Sequence, residues 1–234
     1  MRTKSGISRL LFIPIFFASS ALNAGRSPVL LELFTSQSCS SCPPAEGLLT
    51  RLSQGQPLPG IEIIPLAYHV DYWNQLGWTD RYSQAAFTVR QYVYAQTLGL
   101  RGVFTPQAVI NGSASEVGSD EHAILGRLSP LRRLVLRWAA PTLTVTGLGA
   151  GRLVWIAVAE DGLSTSVGGG ENGGRVLSQS AVVRELVHGK AVGSSLRMAL
   201  TLDPAWIRGN LRLVAFQSEV ECGRIFAAGQ LKLR

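Results

Sequence analysis

The sequence predicts an α/β domain over residues 25–140, followed by a smaller, sandwich-like antiparallel β domain over 141–234. Three observations predict it. Strand-like and helix-like stretches follow one another as βαβαββα through the first 140 residues. Beyond Pro141 the chain changes to short β-type runs between glycine-rich turns. The segment Cys39-Ser40-Ser41-Cys42 stands where the first strand gives way to the first helix. The 234 residues are 46% hydrophobic and only 16% charged, which suits a packed protein and excludes a disordered one.

Residues 1–24 read as a secretory signal peptide. Arg2, Lys4 and Arg9 precede an apolar run over 10–18, and Ser19-Ser20-Ala21 or Leu22-Asn23-Ala24 offers a small-residue exit site. Pro14 interrupts the run, which falls short of the ~20 residues a membrane span needs. No cysteine follows it to carry a lipid. The expected destination is therefore the periplasm or the outside, with no stable membrane anchor after signal removal. Setting the three leader cations aside lowers the formal net charge from +7 to +4. The remaining basic residues are scattered, with Arg132, Arg133 and Arg137 the densest group. That group reads as a solvated helix face, and nucleic acid is not an expected partner because no nucleic-acid motif accompanies it.

The elements follow in order. Residues 29–34 are nearly continuous in apolar side chains, with Glu32 as the exception, and read as a buried strand. After the loop 35–38, Pro43 and Pro44 suit the first turn of a helix carried by 45–52. A second strand over 61–68 contains Pro65, which predicts a bulge or bend. A helix over 80–98 closes at Gly99. A strand over 107–110 ends at Asn111-Gly112, a hairpin turn signal. A final helix spans about 119–138 with an interruption at Pro130. In the second half, β-type runs fall at 143–146, 153–159, 181–186, 196–202, 211–217 and 225–233.

The three cysteines divide into a close pair, Cys39 and Cys42, and a distant Cys222. A helix N-terminus offers unpaired N–H groups and the positive end of a dipole, both of which favour a thiolate. Cys39 is therefore the expected attacking sulfur and Cys42 the resolving thiol. A purely structural disulfide closing so small a loop would stabilise little. A zinc site needs two more ligands, and Cys222, His69, His122 and His188 form no second close pair. Redox chemistry is the better reading, with no metal and no cofactor expected.

The segment Gly99-Leu100-Arg101-Gly102-Val103-Phe104-Thr105-Pro106 resembles the thioredoxin segment in which a cis-proline enters the third strand beside the cysteines. A cis bond at Pro106, with Thr105 before it, is what that resemblance implies. More closely, the chain is similar to a bacterial family of exported thioredoxin-like proteins, domain of unknown function 1223. Leu33-Phe34-Thr35-Ser36-Gln37 with Cys39-Ser40-Ser41-Cys42-Pro43-Pro44-Ala45 resembles the family's opening motif. His69-Val70-Asp71-Tyr72-Trp73, Leu76-Gly77-Trp78, Arg90-Gln91, and Thr105-Pro106-Gln107 through Asn111-Gly112 match further blocks. Glu171-Asn172-Gly173-Gly174-Arg175 and Val182-Val183-Arg184 extend the match into the second half. The resemblance implies a thioredoxin-like fold with Cys39, Cys42 and Pro106 as its catalytic positions, and it supplies no substrate.

Other constellations carry two readings each. His69, Tyr72, Trp73 and Trp78 follow the second strand and emerge on the side of the cysteines. They either line a substrate groove with Thr105 or cap the core. Glu32 lies seven residues before Cys39 and is either a buried proton-accepting acid or a surface residue. Gly168-Gly169-Gly170-Glu171-Asn172-Gly173 spells a dinucleotide pattern, but no helix follows it, so a flexible turn is expected. Cys222 reads as a buried or turn thiol. The expected function is thiol–disulfide exchange through the Cys39–Cys42 pair, with protein or small-molecule thiols and disulfides as partners. The alternative is a non-catalytic binding or interaction module with a static disulfide.

Overall fold

A computed structural model describes residues 25–233, so the signal peptide expected over 1–24 lies outside the described residues. The first strand, β1 (Ser27–Thr35), is buried on both faces along all but its first residue, as its near-continuous apolar run requires. The loop 36–41 leads into α1 (Cys42–Gly55), whose first turn carries Pro43 and Pro44 where a missing N–H is harmless. Ala45, Leu48, Leu49 and Leu52 give α1 an apolar stripe at helical spacing. Strand β2 (Ile61–His69) runs parallel to β1 in unbroken register, from Ser27 opposite Ile61 to Thr35 opposite His69.

No bulge forms at Pro65. The Ala67 N–H, two residues on, points away from β1 and donates to the Ala181 carbonyl at 2.7 Å. Pro65 therefore directs its missing donor to the same side, where only Ala67 has a ladder partner.

Helix α2 (Ala85–Thr97) begins five residues later than expected, because the Asp80 side chain accepts from the Tyr82 N–H and holds the preceding loop. Gly99, at φ 65°, closes it as predicted. Strands β3 (Gln107–Ile110) and β4 (Ala114–Val117) form the hairpin signalled by Asn111-Gly112, both residues having positive φ. The expected long helix over 119–138 is corrected. Only α3 (Glu121–Gly126) is helical, and the chain continues as β5 (Arg132–Arg133) and β6 (Val135–Ala139). Leu136 is buried between exposed Val135 and Arg137, a two-residue period that fits a strand, so the basic group there is no helix face.

The second half adds β7 (Thr142–Thr146), β8 (Leu153–Glu160), β9 (Leu163–Ser166) and β10 (Val176–Gln179). It ends with β11 (Val182–Lys190), β12 (Ser195–Ala199), β13 (Leu211–Ser218) and β14 (Ile225–Lys232).

The fold expected from the sequence, a thioredoxin-like α/β domain followed by a small separate β domain, is overturned. The protein is mainly β, and strands from before and after residue 140 share one nine-stranded mixed sheet in the order β4-β3-β1-β2-β11-β8-β13-β14-β5. The junction is Val182 opposite Ala67, where β11 covers the edge of β2. That edge belongs to a strand buried on both faces, so leaving its backbone groups unpaired would be costly.

The sheet curls until its far end meets its beginning. The Leu131 N–H donates to the Pro28 carbonyl at 2.8 Å, and the Ile225 N–H donates to the Asn111 carbonyl at 2.9 Å. Inside the curl, Phe34, Tyr68, Trp155 and Phe216 pack with Phe87 and Tyr94 of α2. Helices α1 and α3 cover one outer face, and the small sheet β12-β7-β6 covers another. Among the described residues no helix is long and apolar enough to cross a membrane.

Candidate functional site

Cys39 and Cys42 form a disulfide, with Cα atoms 5.4 Å apart. Cys42 is the first residue of α1 and Ser41 its N-cap, so the bond sits on the opening turn of the helix. Ser40 and Ser41 are exposed, whereas both cysteines have 0% exposure. Cys39 Sγ lies 3.4 Å from Ser41 Oγ.

The loop that carries the cysteines and the start of α1 adjoin a group of buried ionisable side chains where a packed core would ordinarily be apolar. His69 Nδ1 and Asp80 Oδ2 are 2.6 Å apart, with both side chains withdrawn from water. Asp80 also accepts from the Gln37 N–H at 2.8 Å, tying the cysteine loop to the end of β2. Burial alone would depress the His69 pKa, but the charge of Asp80 and its hydrogen bond outweigh that and raise it. Burial would raise Asp80, yet the His69 charge and the donors around it hold its pKa below the usual carboxylate value. Glu46, on α1, accepts from Thr35 Oγ1 at 2.7 Å. Burial pushes its carboxyl up to about 7, against the lowering charge of His69 and the Thr35 bond.

The cover over the cysteines comes from the glycine-rich segment between β9 and β10, where the sequence predicts a flexible turn. A short 3₁₀ turn (Gly170–Asn172) presses on the cysteine loop. Asn172 Nδ2 donates to the Gln37 carbonyl at 3.0 Å and to the Cys39 carbonyl at 2.9 Å. Glu171 Oε2 accepts from the Ser40 N–H at 2.9 Å, and this bond lowers its pKa. The glycines here meet a specific demand for close approach. A Cβ on Gly169 would lie 2.3 Å from the Gly77 carbonyl oxygen, and one on Gly168 would lie 3.0 Å from the Trp78 ring.

The aromatic residues divide between two jobs. Trp78 Nε1 donates to Gln37 Oε1 at 2.9 Å, and its carbonyl accepts from Ser38 Oγ at 2.9 Å, so Trp78 stands between the cysteine loop and its cover. Trp73 Nε1 donates to Thr105 Oγ1 at 2.8 Å, and both Trp73 and Tyr72 are half-buried against the inner core. The Thr105–Pro106 peptide is cis. Gln91 holds this segment by donating to the Phe104 carbonyl and to Gln107 Oε1, each at 2.8 Å. Pro106 and Ala45 both crowd Gly118, since a Cβ there would lie 3.0 Å and 3.2 Å from theirs, so the proline sits beside the first turn of α1. His69 is only 1% exposed and faces the interior rather than the rim.

A family profile for a protein of unknown function, DUF1223, matches residues 30–217. The chain belongs to the DUF1223 family. No curated protein matches it. A crystal structure of a protein from Agrobacterium tumefaciens is similar, with a TM-score of 0.69 and 29% identity over 87% of this chain and 93% of that one. HBP35 of Porphyromonas gingivalis is similar with a TM-score of 0.59 and 16% identity, over 90% of this chain and 76% of that one. At that identity the likeness concerns fold alone.

In this DUF1223 chain, Glu32 is neither a surface residue nor a free acid. Arg90 Nη2 donates to its Oε1 at 2.7 Å and Tyr94 donates to its Oε2 at 2.6 Å, all inside the curl. The guanidinium of Arg90 also lies over Tyr68, Tyr94, Trp155 and Phe216 at 5.0–5.4 Å. Cys222 is buried beside Arg90, and burial pushes its thiol up to about 12. No group of three or more His, Cys, Asp or Glu among the described residues is arranged to hold a metal ion.

Sequence reasoning missed Glu46 and Asn172. Glu46 had a signal, four residues after Cys42 on a helix and therefore on the same side. Asn172 lay in a motif block whose contact with the cysteines no local pattern reveals.

Proposed function

We propose that the chain is an exported thiol–disulfide exchange protein working through Cys39 and Cys42. The observation that carries this reading is a disulfide on the opening turn of α1 backed by the buried ionisable groups Glu46, His69 and Asp80. Burying such groups is costly unless they are used or well paired. A disulfide that closes so short a loop adds little stability to offset that cost. The partners are thiols or disulfides of proteins or small molecules. Thr105, Trp73, Tyr72 and Trp78 are the surface such a partner would meet beside Pro106, and His69 acts from below it. Export rests on the leader pattern over 1–24 and on the need of a lasting disulfide for an oxidising compartment.

Because Asn172 and Glu171 are bonded to the cysteine loop and both cysteines are fully buried, exchange requires the segment 168–175 to swing away. The same burial favours a second reading, a binding module with a static disulfide. The deciding experiment is the reduction potential together with the rate of exchange with a peptide disulfide. A potential above the roughly −300 mV region typical of structural disulfides, with measurable exchange, supports the first reading. A lower potential without exchange sinks it.

A further inference from the structure

Breaking the Cys39–Cys42 bond creates a protonation problem. Cys42 is 0% exposed, and the cover is bonded to Gln37, Cys39 and Ser40 rather than to Cys42, so opening the cover frees Cys39 first and the charge that Cys42 acquires as a leaving group is poorly met by bulk water. Some buried group has to supply the proton. Glu32 is bound to Arg90 and Tyr94 inside the curl and is spent. Asp80 accepts from His69, from the Gln37 N–H and from the Tyr82 N–H, and a carboxylate so well donated to stays ionised.

Glu46 differs from both. It lies one helical turn after Cys42, at the i to i+4 spacing that places two side chains side by side. It is 5% exposed, and among the described residues its carboxyl accepts a hydrogen bond only from a neutral hydroxyl, that of Thr35. The charged groups facing it are His69 and Asp80, while Arg184 acts in turn on His69. Among the described residues, His69 Nε2 is buried without a hydrogen-bond partner. Burial pushes the Glu46 carboxyl up to about 7, where giving and taking a proton are both feasible.

We propose that Glu46 is the proton store of the Cys39–Cys42 pair, giving a proton to Cys42 when the disulfide opens and taking it back when the disulfide closes, with His69 balancing the carboxylate charge. This rests on the redox reading above. In the oxidised protein Glu46 is a neutral acid. A thiolate of a dithiol partner attacks Cys39 Sγ, a partner–Cys39 bond forms, and the Cys39–Cys42 bond breaks with its electron pair on Cys42. Cys42 takes the proton of Glu46, directly or through one water, leaving a carboxylate beside the His69 imidazolium. The second thiolate of the partner then attacks its own sulfur in the mixed disulfide, and Cys39 leaves as a thiolate. Two electrons have passed from the dithiol to the pair. In reverse, the Glu46 carboxylate takes the Cys42 proton as Cys42 attacks Cys39.

The test is reduction of the purified protein by dithiothreitol from pH 5 to 9, with rates corrected for the fraction of the reagent present as thiolate. The wild-type rate is expected to fall through an inflection near pH 7. Glu46→Gln, which keeps the acceptor for Thr35 but has no acidic proton to give, should be ~10-fold slower or more at pH 6, with a flat profile. Glu46→Asp should recover an inflection. A second measurement needs no variant: the carboxyl stretch of the wild-type protein in the infrared should change between its oxidised and reduced states at pH 7. A wild-type protein that exchanges while Glu46→Gln follows the same pH profile, or a carboxyl band indifferent to redox state, overturns this inference and leaves the redox reading standing. A wild-type protein that exchanges with no thiol at any pH overturns both.

Discussion

The side-chain amide of Asn172 donates to the backbone carbonyl of Cys39 at 2.9 Å, across 133 residues of sequence. A second bond from the same nitrogen to Gln37 makes it a two-point clamp on the loop that carries the disulfide. Replacing Asn172 with Ala leaves two carbonyls without that donor and should cost about 1–3 kcal/mol of stability. Because the cover then opens more readily, reduction of the disulfide by dithiothreitol should accelerate ~10-fold. Thermal melts and mass-resolved reduction on one preparation check both. An unchanged reduction rate means the segment 168–175 does not control access.

The reduced protein should label unevenly. With its thiol pushed up to about 12, only roughly one Cys222 in ten thousand is thiolate at pH 8. Iodoacetamide at that pH should modify Cys39 first and leave Cys222 untouched until the protein is denatured. Mass mapping after timed quenching checks this, and equal labelling of Cys39 and Cys222 refutes it.

Glu46 also leaves a mark on stability. Its carboxyl holds a proton up to about pH 7 in the folded chain, against an ordinary value of 4.5. The folded state therefore binds more protons between those values, so stability falls as pH rises through that window and stays lower above it. Glu46→Gln removes this loss. The variant should match wild type near pH 4 and exceed it at pH 8 by about 3 kcal/mol, read from urea unfolding. Of the His69–Asp80 pair, His69 acts in the same sense as Glu46 and Asp80 in the opposite one. The raised His69 contributes fully below about 6.5, and its contribution is lost as pH rises through its higher folded value. The lowered Asp80 contributes above about 3.8, and its contribution is lost as pH falls through its lower folded value.

Glu32→Gln is expected to separate structure from chemistry. It leaves Arg90 buried without its charge partner and should destabilise the protein by about 3–5 kcal/mol. The pH profile of exchange per folded molecule should stay that of wild type. A lost inflection near neutral pH would make Glu32, rather than Glu46, the group that trades protons with Cys42.

Trp73→Phe keeps most of the ring and deletes the bond to Thr105 Oγ1. If that contact shapes the surface beside Pro106, exchange with a peptide disulfide slows several-fold, while the melting temperature moves by only a few degrees, as expected for the loss of about 1 kcal/mol. Unaltered exchange would assign Trp73 to the core cap.

What was legible in the sequence was local. The apolar run before the cysteines, Pro43 and Pro44 at the head of α1, Gly99 at the close of α2 and the Asn111-Gly112 turn each state a backbone preference within a few residues, and each stands where it was read. The tail of the expected helix over 119–138 failed because a helix of six residues from Glu121 cannot compete with pairing to β7 and β14 once the chain is folded. The division into two unlike domains failed for a related reason. A two-residue period tells which faces of a strand are buried but not which strand will lie along its edge, and β11 reaches β2 from 115 positions away at the Val182–Ala67 pair.

The sequence by itself determined where the cysteines stand relative to a helix start, since that depends only on Cys-x-x-Cys, two prolines and an apolar stripe in consecutive residues. The tertiary structure decided what surrounds them. Glu32 finds Arg90 58 residues away, Asn172 finds Cys39 from beyond β9, and His69 meets Asp80 in front of Glu46. Whether a buried polar group is a structural partner or a free acid depends on distances between segments remote in the chain, and folding alone sets those distances.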